Sequence, residues 1–97
     1  MLSIAFWERI WEITNSQVQE IGHLQLIGNQ VWAGSFSGSI YIFDSESKEL
    51  TKEIPGAHKK KINTFADTGS TVWSGSADGI ICVWSKTDYQ VVFFFFF

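Results

Sequence analysis

The chain has 97 residues, a formal net charge of −3 and a single cysteine, with 45% hydrophobic and 16% aromatic residues. This is too apolar and too aromatic for a disordered segment, and Cys82 alone cannot form an intramolecular disulfide scaffold. The longest apolar run, Val91 to Phe97, falls far short of the ~20 residues of a membrane-spanning helix, and the acidic balance argues against a nucleic-acid partner.

Near the N-terminus, Glu8, Arg9 and Glu12 interrupt the apolar residues, unlike a signal peptide. Trp7, Ile10 and Trp11 have helical spacing, but a repeat across the chain favours a strand there. Val31-Trp32-Ala33-Gly34-Ser35-Phe36-Ser37-Gly38 matches Val72-Trp73-Ser74-Gly75-Ser76-Ala77-Asp78-Gly79 at an offset of 41 residues. The same offset carries Ile21 onto Ile62, Gly28 onto Gly69, Ile40 onto Ile81 and Phe43 onto Trp84 without a gap. Extended backwards, it places Glu8, Glu12 and Ile13 on Glu49, Glu53 and Ile54.

Each unit reads as four short strands, which leaves no room for helices. Ile21 to Leu26 and Ile62 to Ala66 end in turn residues. Gln30 to Phe36 and Thr71 to Ser76 follow, each closed by a hairpin signal, Ser37-Gly38 or Asp78-Gly79. Asp-Gly predicts a type I′ turn, with φ positive at both residues. Ser39 to Phe43 and Ile80 to Trp84 are the third strands. Glu49 to Ile54 is a more polar outer strand, ended by Pro55-Gly56, and Gln90 to Phe95 aligns with it.

The second unit resembles a WD40 repeat. The resemblance rests on Gly56-Ala57-His58, Ile62, and the run from Trp73-Ser74-Gly75-Ser76-Ala77-Asp78-Gly79 through Ile80-Ile81-Cys82-Val83-Trp84. Ser85 stands where the family's closing Asp belongs. The first unit is a degenerate copy: Phe43-Asp44 replaces Trp-Asp, Ser37 the turn Asp, and Gln17 the His. The resemblance implies an all-β fold of four-stranded antiparallel β-propeller blades, here an incomplete propeller, since a closed ring takes about four to eight blades. Isolated units cannot bury their own apolar faces, so blades must stack. The remaining blades are expected from missing sequence or from oligomerisation.

The resemblance also assigns roles. Ser74, His58 and Asp78 look superficially like a nucleophile, a base and an orienting carboxylate. In the family, such residues form a structural tetrad with the strand Trp, here Trp84, whose buried indole N–H needs an acceptor. Ser74 is the expected member and Ser76 the alternative. Lacking the His and the Asp, the first unit's turn is expected to be less firmly held. Propeller geometry puts Lys60, Ala77 and Phe36 together near the rim of the top surface. Phe36 is a candidate partner anchor there, or it packs locally under the turn. Lys59-Lys60-Lys61 is either a solvated loop or an anion contact, such as a phosphoinositide headgroup.

His23 lacks a companion at metal-ligand spacing, so no metal is expected, and Cys82 reads as a packing residue. Gly34 and Gly75 belong to no phosphate loop, and no other cofactor motif appears. The domain reading is the end of a preceding blade over 1–17, a degenerate blade over 18–56, a blade over 57–92, and a poly-Phe tail over 93–97. The tail reads as translation into a T-rich stretch at an incorrect gene end. The functional expectation is a non-catalytic, cytoplasmic protein-interaction scaffold in a larger signalling or trafficking protein. The Val-Trp-x-Gly-Ser style resembles propellers attached to DENN-domain Rab exchange factors and inositol-polyphosphate phosphatases. The alternative is a phosphoinositide- or anion-binding propeller using Lys59–Lys61. A propeller hydrolase would need an exposed reactive serine.

Overall fold

The computed structural model describes residues 21–96. The expected strand over Glu8–Ile13, the 1–17 segment and Gln17 lie outside them. The repeat folds as two four-stranded antiparallel sheets. The first contains β1 (Ile21–Ile27), β2 (Gln30–Ser35), β3 (Ile40–Asp44) and β4 (Leu50–Ile54). The second contains β5 (Ile62–Asp67), β6 (Thr71–Ser76), β7 (Ile80–Ser85) and β8 (Val91–Phe96). Both have meander order, so each strand pairs with its neighbours in sequence. β8 carries the second sheet through Phe96, beyond the boundary at 92, because Phe93–Phe96 pair with Ile80–Val83 of β7.

The offset of 41 governs the backbone as well as the residue types. Register shifts between Ile21 and His23 and between Ile42 and Phe43 recur between Ile62 and Thr64 and between Val83 and Trp84. Positive φ recurs at Gly28 and Gly69, at Gly38 and Gly79, and even at the non-glycine pair Lys48 and Tyr89. Between the third and fourth strands, the Asp44 carboxylate accepts the N–H groups of Glu46 (3.1 Å) and Ser47 (2.7 Å). In the second blade Ser85 Oγ accepts the Thr87 N–H at 3.2 Å. A serine thus provides a shorter version of the same side-chain turn.

The hairpins between second and third strands depart from the type I′ expectation. Gly79 has φ 81°, but Asp78 does not enter the positive-φ region. The Gly79 N–H donates to the Ser76 carbonyl at 3.1 Å, as the Gly38 N–H does to Ser35 at 3.2 Å. Each connection is therefore a β-turn followed by a left-handed glycine, the three-residue hairpin form. The Asp78 carboxylate explains the choice: it accepts the Ile80 N–H at 2.9 Å and so stabilises a turn in which Asp78 itself keeps negative φ.

The main core lies between the sheets. Trp32, Ile40 and Ile42 from the first meet Ile62, Phe65, Val72, Cys82 and Trp84 from the second. Strand β5 lies against β1 and β2. Gly34 sets that approach, since a Cβ there would lie 2.7 Å from Ile62 Cγ2. Its role is close packing between blades. Trp32 is fully buried, with the Phe65 ring edge-on at 5.7 Å and Tyr89 at 6.2 Å. Its repeat counterpart Trp73 is only half-buried and packs on Phe93 and Phe95.

Candidate functional site

One chain of hydrogen bonds joins the segment before β5 to strands β6 and β7. The Trp84 indole N–H donates to Ser74 Oγ at 2.8 Å. Ser74 Oγ lies 2.7 Å from His58 Nε2, and His58 Nδ1 lies 3.1 Å from Asp78 Oδ2. The direction follows from the two ends. An indole can only donate, and a carboxylate can only accept. Nδ1 therefore carries a proton facing Asp78, and Ser74 Oγ accepts the indole proton while sharing a hydrogen bond with Nε2. Ser76, the alternative, is used elsewhere: its Oγ–H donates to the Lys60 carbonyl at 3.1 Å and its Oγ accepts the Asp78 N–H at 3.1 Å.

Burial alone would push the Asp78 carboxyl upward, but the Lys59 and Ile80 N–H groups and His58 together hold it below the ordinary carboxylate value of 3.8. A depressed folded-state value contributes stability above the unfolded value, which is lost as pH falls through the folded one. Asp78→Asn is expected to cost about 1.5–3 kcal/mol at neutral pH, the range for hydrogen bonds to charged groups. It should also flatten the loss of stability as pH falls from the ordinary value of 3.8 through the lowered folded one. Urea unfolding at a series of pH values checks both; parallel acid limbs for the two proteins would contradict the assignment.

Among the described residues the first blade has no such network. At the repeat positions, Ala33 stands for Ser74, Phe43 for Trp84 and Ser37 for Asp78. Its hairpin has other anchors. Ser35 Oγ accepts the Ser39 N–H at 2.9 Å and bonds Ser37 Oγ at 2.9 Å, and the Gly38 carbonyl accepts the His58 N–H at 2.9 Å. Sequence spacing gave no sign of this last bond, which ties the first hairpin to the second blade. The Trp32 N–H donates to Gln30 Oε1 at 3.2 Å, and Gln30 Nε2 donates to the Tyr89 hydroxyl at 2.6 Å across the blade junction.

The candidate contact residues converge at one end of the sheets. The 57–61 linker runs between hairpins 36–38 and 77–79. The Ala77 N–H donates to the Lys61 carbonyl at 2.9 Å, and a Cβ on Gly38 would lie 2.9 Å from the Lys60 carbonyl oxygen. Lys59, Lys60 and Ala77 are exposed, and Phe36 retains 48% exposure. Lys61, named from the sequence only in the alternative anion contact, has its Nζ 4.6 Å from the Phe36 ring centroid, a contact the sequence reading did not foresee.

Among the described residues no cluster of three metal-ligating side chains occurs, and His23 bonds Gln25 at 3.2 Å. Cys82 is buried, and burial with the nearby Asp78 charge pushes its thiol upward, away from nucleophilic use. An open groove beside the network is walled by Ala57, Ile80, Cys82 and Phe94. No helix among the described residues is long and apolar enough to cross a membrane.

Two four-stranded meanders stacked face to face around a shared core define consecutive β-propeller blades. Solved structures agree. The β-propeller domain of Cps50 (Swd1) from Myceliophteria thermophila superposes with a TM-score of 0.72 at 18% identity, over 80% of this chain and 26% of that one. The computationally designed Ika8 protein gives a TM-score of 0.70 at 28% identity, over 79% of this chain and 24% of that one. A LEC14B homolog from Prunus armeniaca is 39% identical over 62 residues, 61% of this chain and 13% of that protein. The probable serine/threonine-protein kinase pats1 of Dictyostelium discoideum is 37% identical over 68 residues, 67% of this chain and 2% of that protein. No family model matches the chain. The described residues fold as two WD40-type β-propeller blades. The chain spans only a small part of each of these relatives.

Proposed function

We propose that the chain is part of a non-catalytic protein-interaction scaffold, within a larger cytoplasmic protein of signalling or trafficking type. It would bind partners at the end of the blades where Phe36, Lys60 and Ala77 gather. The observation that carries this reading is a half-exposed aromatic fixed beside a linker that both hairpins hold. An anchored aromatic loses little conformational entropy on binding and offers a large contact area. The His58–Ser74–Asp78–Trp84 network supports the non-catalytic side. Ser74 is completely buried, and its oxygen is already bonded to both His58 and the Trp84 indole. The network is a structural tetrad that fixes the linker and the hairpin. The three lysines also keep an anionic lipid headgroup in view as the alternative ligand.

The test compares partner capture by the unaltered chain, by Phe36→Ala, and by Glu46→Ala, whose site is an exposed turn at the opposite end of the sheets. Phe36→Ala is expected to reduce capture several-fold and Glu46→Ala to leave it unchanged. Equal capture by Phe36→Ala and the unaltered chain would remove this face from the proposal.

A further inference from the structure

The Lys59–Lys61 stretch is a fixed part of the fold. The Lys59 N–H donates to Asp78 Oδ2 at 3.0 Å, the Lys60 carbonyl accepts the Ser76 hydroxyl at 3.1 Å, and the Lys61 carbonyl accepts the Ala77 N–H at 2.9 Å. With His58 bonded to Gly38, four consecutive residues are tied through backbone groups to the two hairpins. Lys61 is placed further still. A Cβ on Gly22 would lie 3.1 Å from Lys61 Cε and 3.6 Å from the Phe36 ring, so a side chain there would crowd the pair. The result is a preformed cation–aromatic platform flanked by two exposed ammonium groups.

Among the described residues the charge around it is uneven. Asp44, Glu46, Glu49, Asp67 and Asp88 lie at the other end of the sheets, together with Lys48 and Lys86, while Glu53, opposite Tyr41 on the outer strand β4, lies toward this end. Asp78, the carboxylate nearest the platform in the hairpin, is already bonded to His58 and the Lys59 N–H. Among the described residues, Lys59, Lys60 and Lys61 against Glu53 and the already bonded Asp78 leave a local excess of positive charge at this corner. A backbone held before binding lowers the entropic cost of ordering the site around a ligand.

Resting on the interaction reading above, we infer that this corner binds an acidic peptide segment that carries a large apolar side chain. Carboxylates would meet Lys59, Lys60 and Lys61, and the apolar side chain would lie on the exposed part of the Phe36 ring. The cations occupy one seam between two hairpins, which suits a linear chain better than the flat surface of a membrane.

Fluorescence anisotropy of the full chain tests this with three labelled peptides: glutamates around one phenylalanine, the same peptide with glutamine for glutamate, and the glutamate peptide without phenylalanine. The first is expected to bind best, and to weaken as salt is raised. Lys59→Gln combined with Lys60→Gln should weaken it roughly tenfold, the effect of two surface charge pairs. Phe36→Ala should bring it down to the level of the peptide without phenylalanine. Unchanged circular dichroism confirms that the variants fold. Equal binding of the neutral peptide, no effect of the lysine variant, or no binding at all would overturn the inference. So would tighter cosedimentation with vesicles of phosphatidylcholine and phosphatidylserine, which would make lipid the occupant. If the peptides fail while Phe36→Ala still reduces partner capture, only the ligand chemistry falls. If capture is also unchanged, the interaction reading falls with it.

Discussion

Replacing Trp84 with alanine is expected to destabilise the fold by about 3–5 kcal/mol, the range for removing a large aromatic from a core. The side chain is 6% exposed and contacts the core shared by both sheets, so its loss opens a void where the blades meet. The polar consequence adds to this. Ser74 Oγ would lose its indole donor in a fully buried position. Trp84→Phe separates the two effects, because it keeps most of the volume and removes the N–H; about 1–2 kcal/mol is expected. Combining Trp84→Phe with Ser74→Ala should cost less than the two changes taken separately. The first blade already holds that pair, with Phe43 and Ala33 both completely buried. Removing the indole and the hydroxyl together leaves only His58 Nε2 without its partner, and the first unit has Gln17 rather than a His at that repeat position. Urea unfolding followed by circular dichroism measures all four proteins. An unchanged midpoint for Trp84→Ala would contradict the core assignment.

The repeat made the strands legible, because an offset of 41 residues fixes both the alternation and the turn positions. His58, Ser74, Asp78 and Trp84 were legible as a set only through the resemblance of the second unit to a WD40 repeat, since the first unit has Gln17, Ala33, Ser37 and Phe43 at those positions. The turn type was not legible. Asp-Gly favours φ positive at both residues when the Asp side chain is idle, whereas here its carboxylate holds Ile80, Lys59 and His58. Contacts across the blade junction were also hidden. Gly34 against Ile62, Tyr89 against Trp32, and Lys61 over Phe36 depend on how closely two sheets approach. Nothing in the local periodicity of either sheet records that distance.

The outer strands β4 and β8 differ in a way that predicts association. At repeat positions, Lys52, Glu53 and Pro55 of the first blade become Phe93, Phe94 and Phe96. Charges and proline on an edge strand oppose pairing with another chain, and an uncharged aromatic edge invites it. β8 is the last strand of its sheet and no described strand pairs with its outer edge, while Phe93, Phe94 and Phe96 are each at least half exposed. Phe93 and Phe95 also extend the half-buried face of Trp73, whose counterpart in the first blade is covered by the second. The chain is therefore expected to form oligomers or aggregates at micromolar concentration. Phe93→Lys with Phe94→Glu gives β8 the charges of β4 and should raise the concentration at which association begins by at least tenfold, an effect of roughly 1.4 kcal/mol. Its cost to folding should be small, because both rings are already half in solvent. Light scattering across a dilution series measures the onset. If the double variant associates as readily as the parent, the open edge is not the cause, and the apolar face around Trp73 and Phe95 becomes the surface to change.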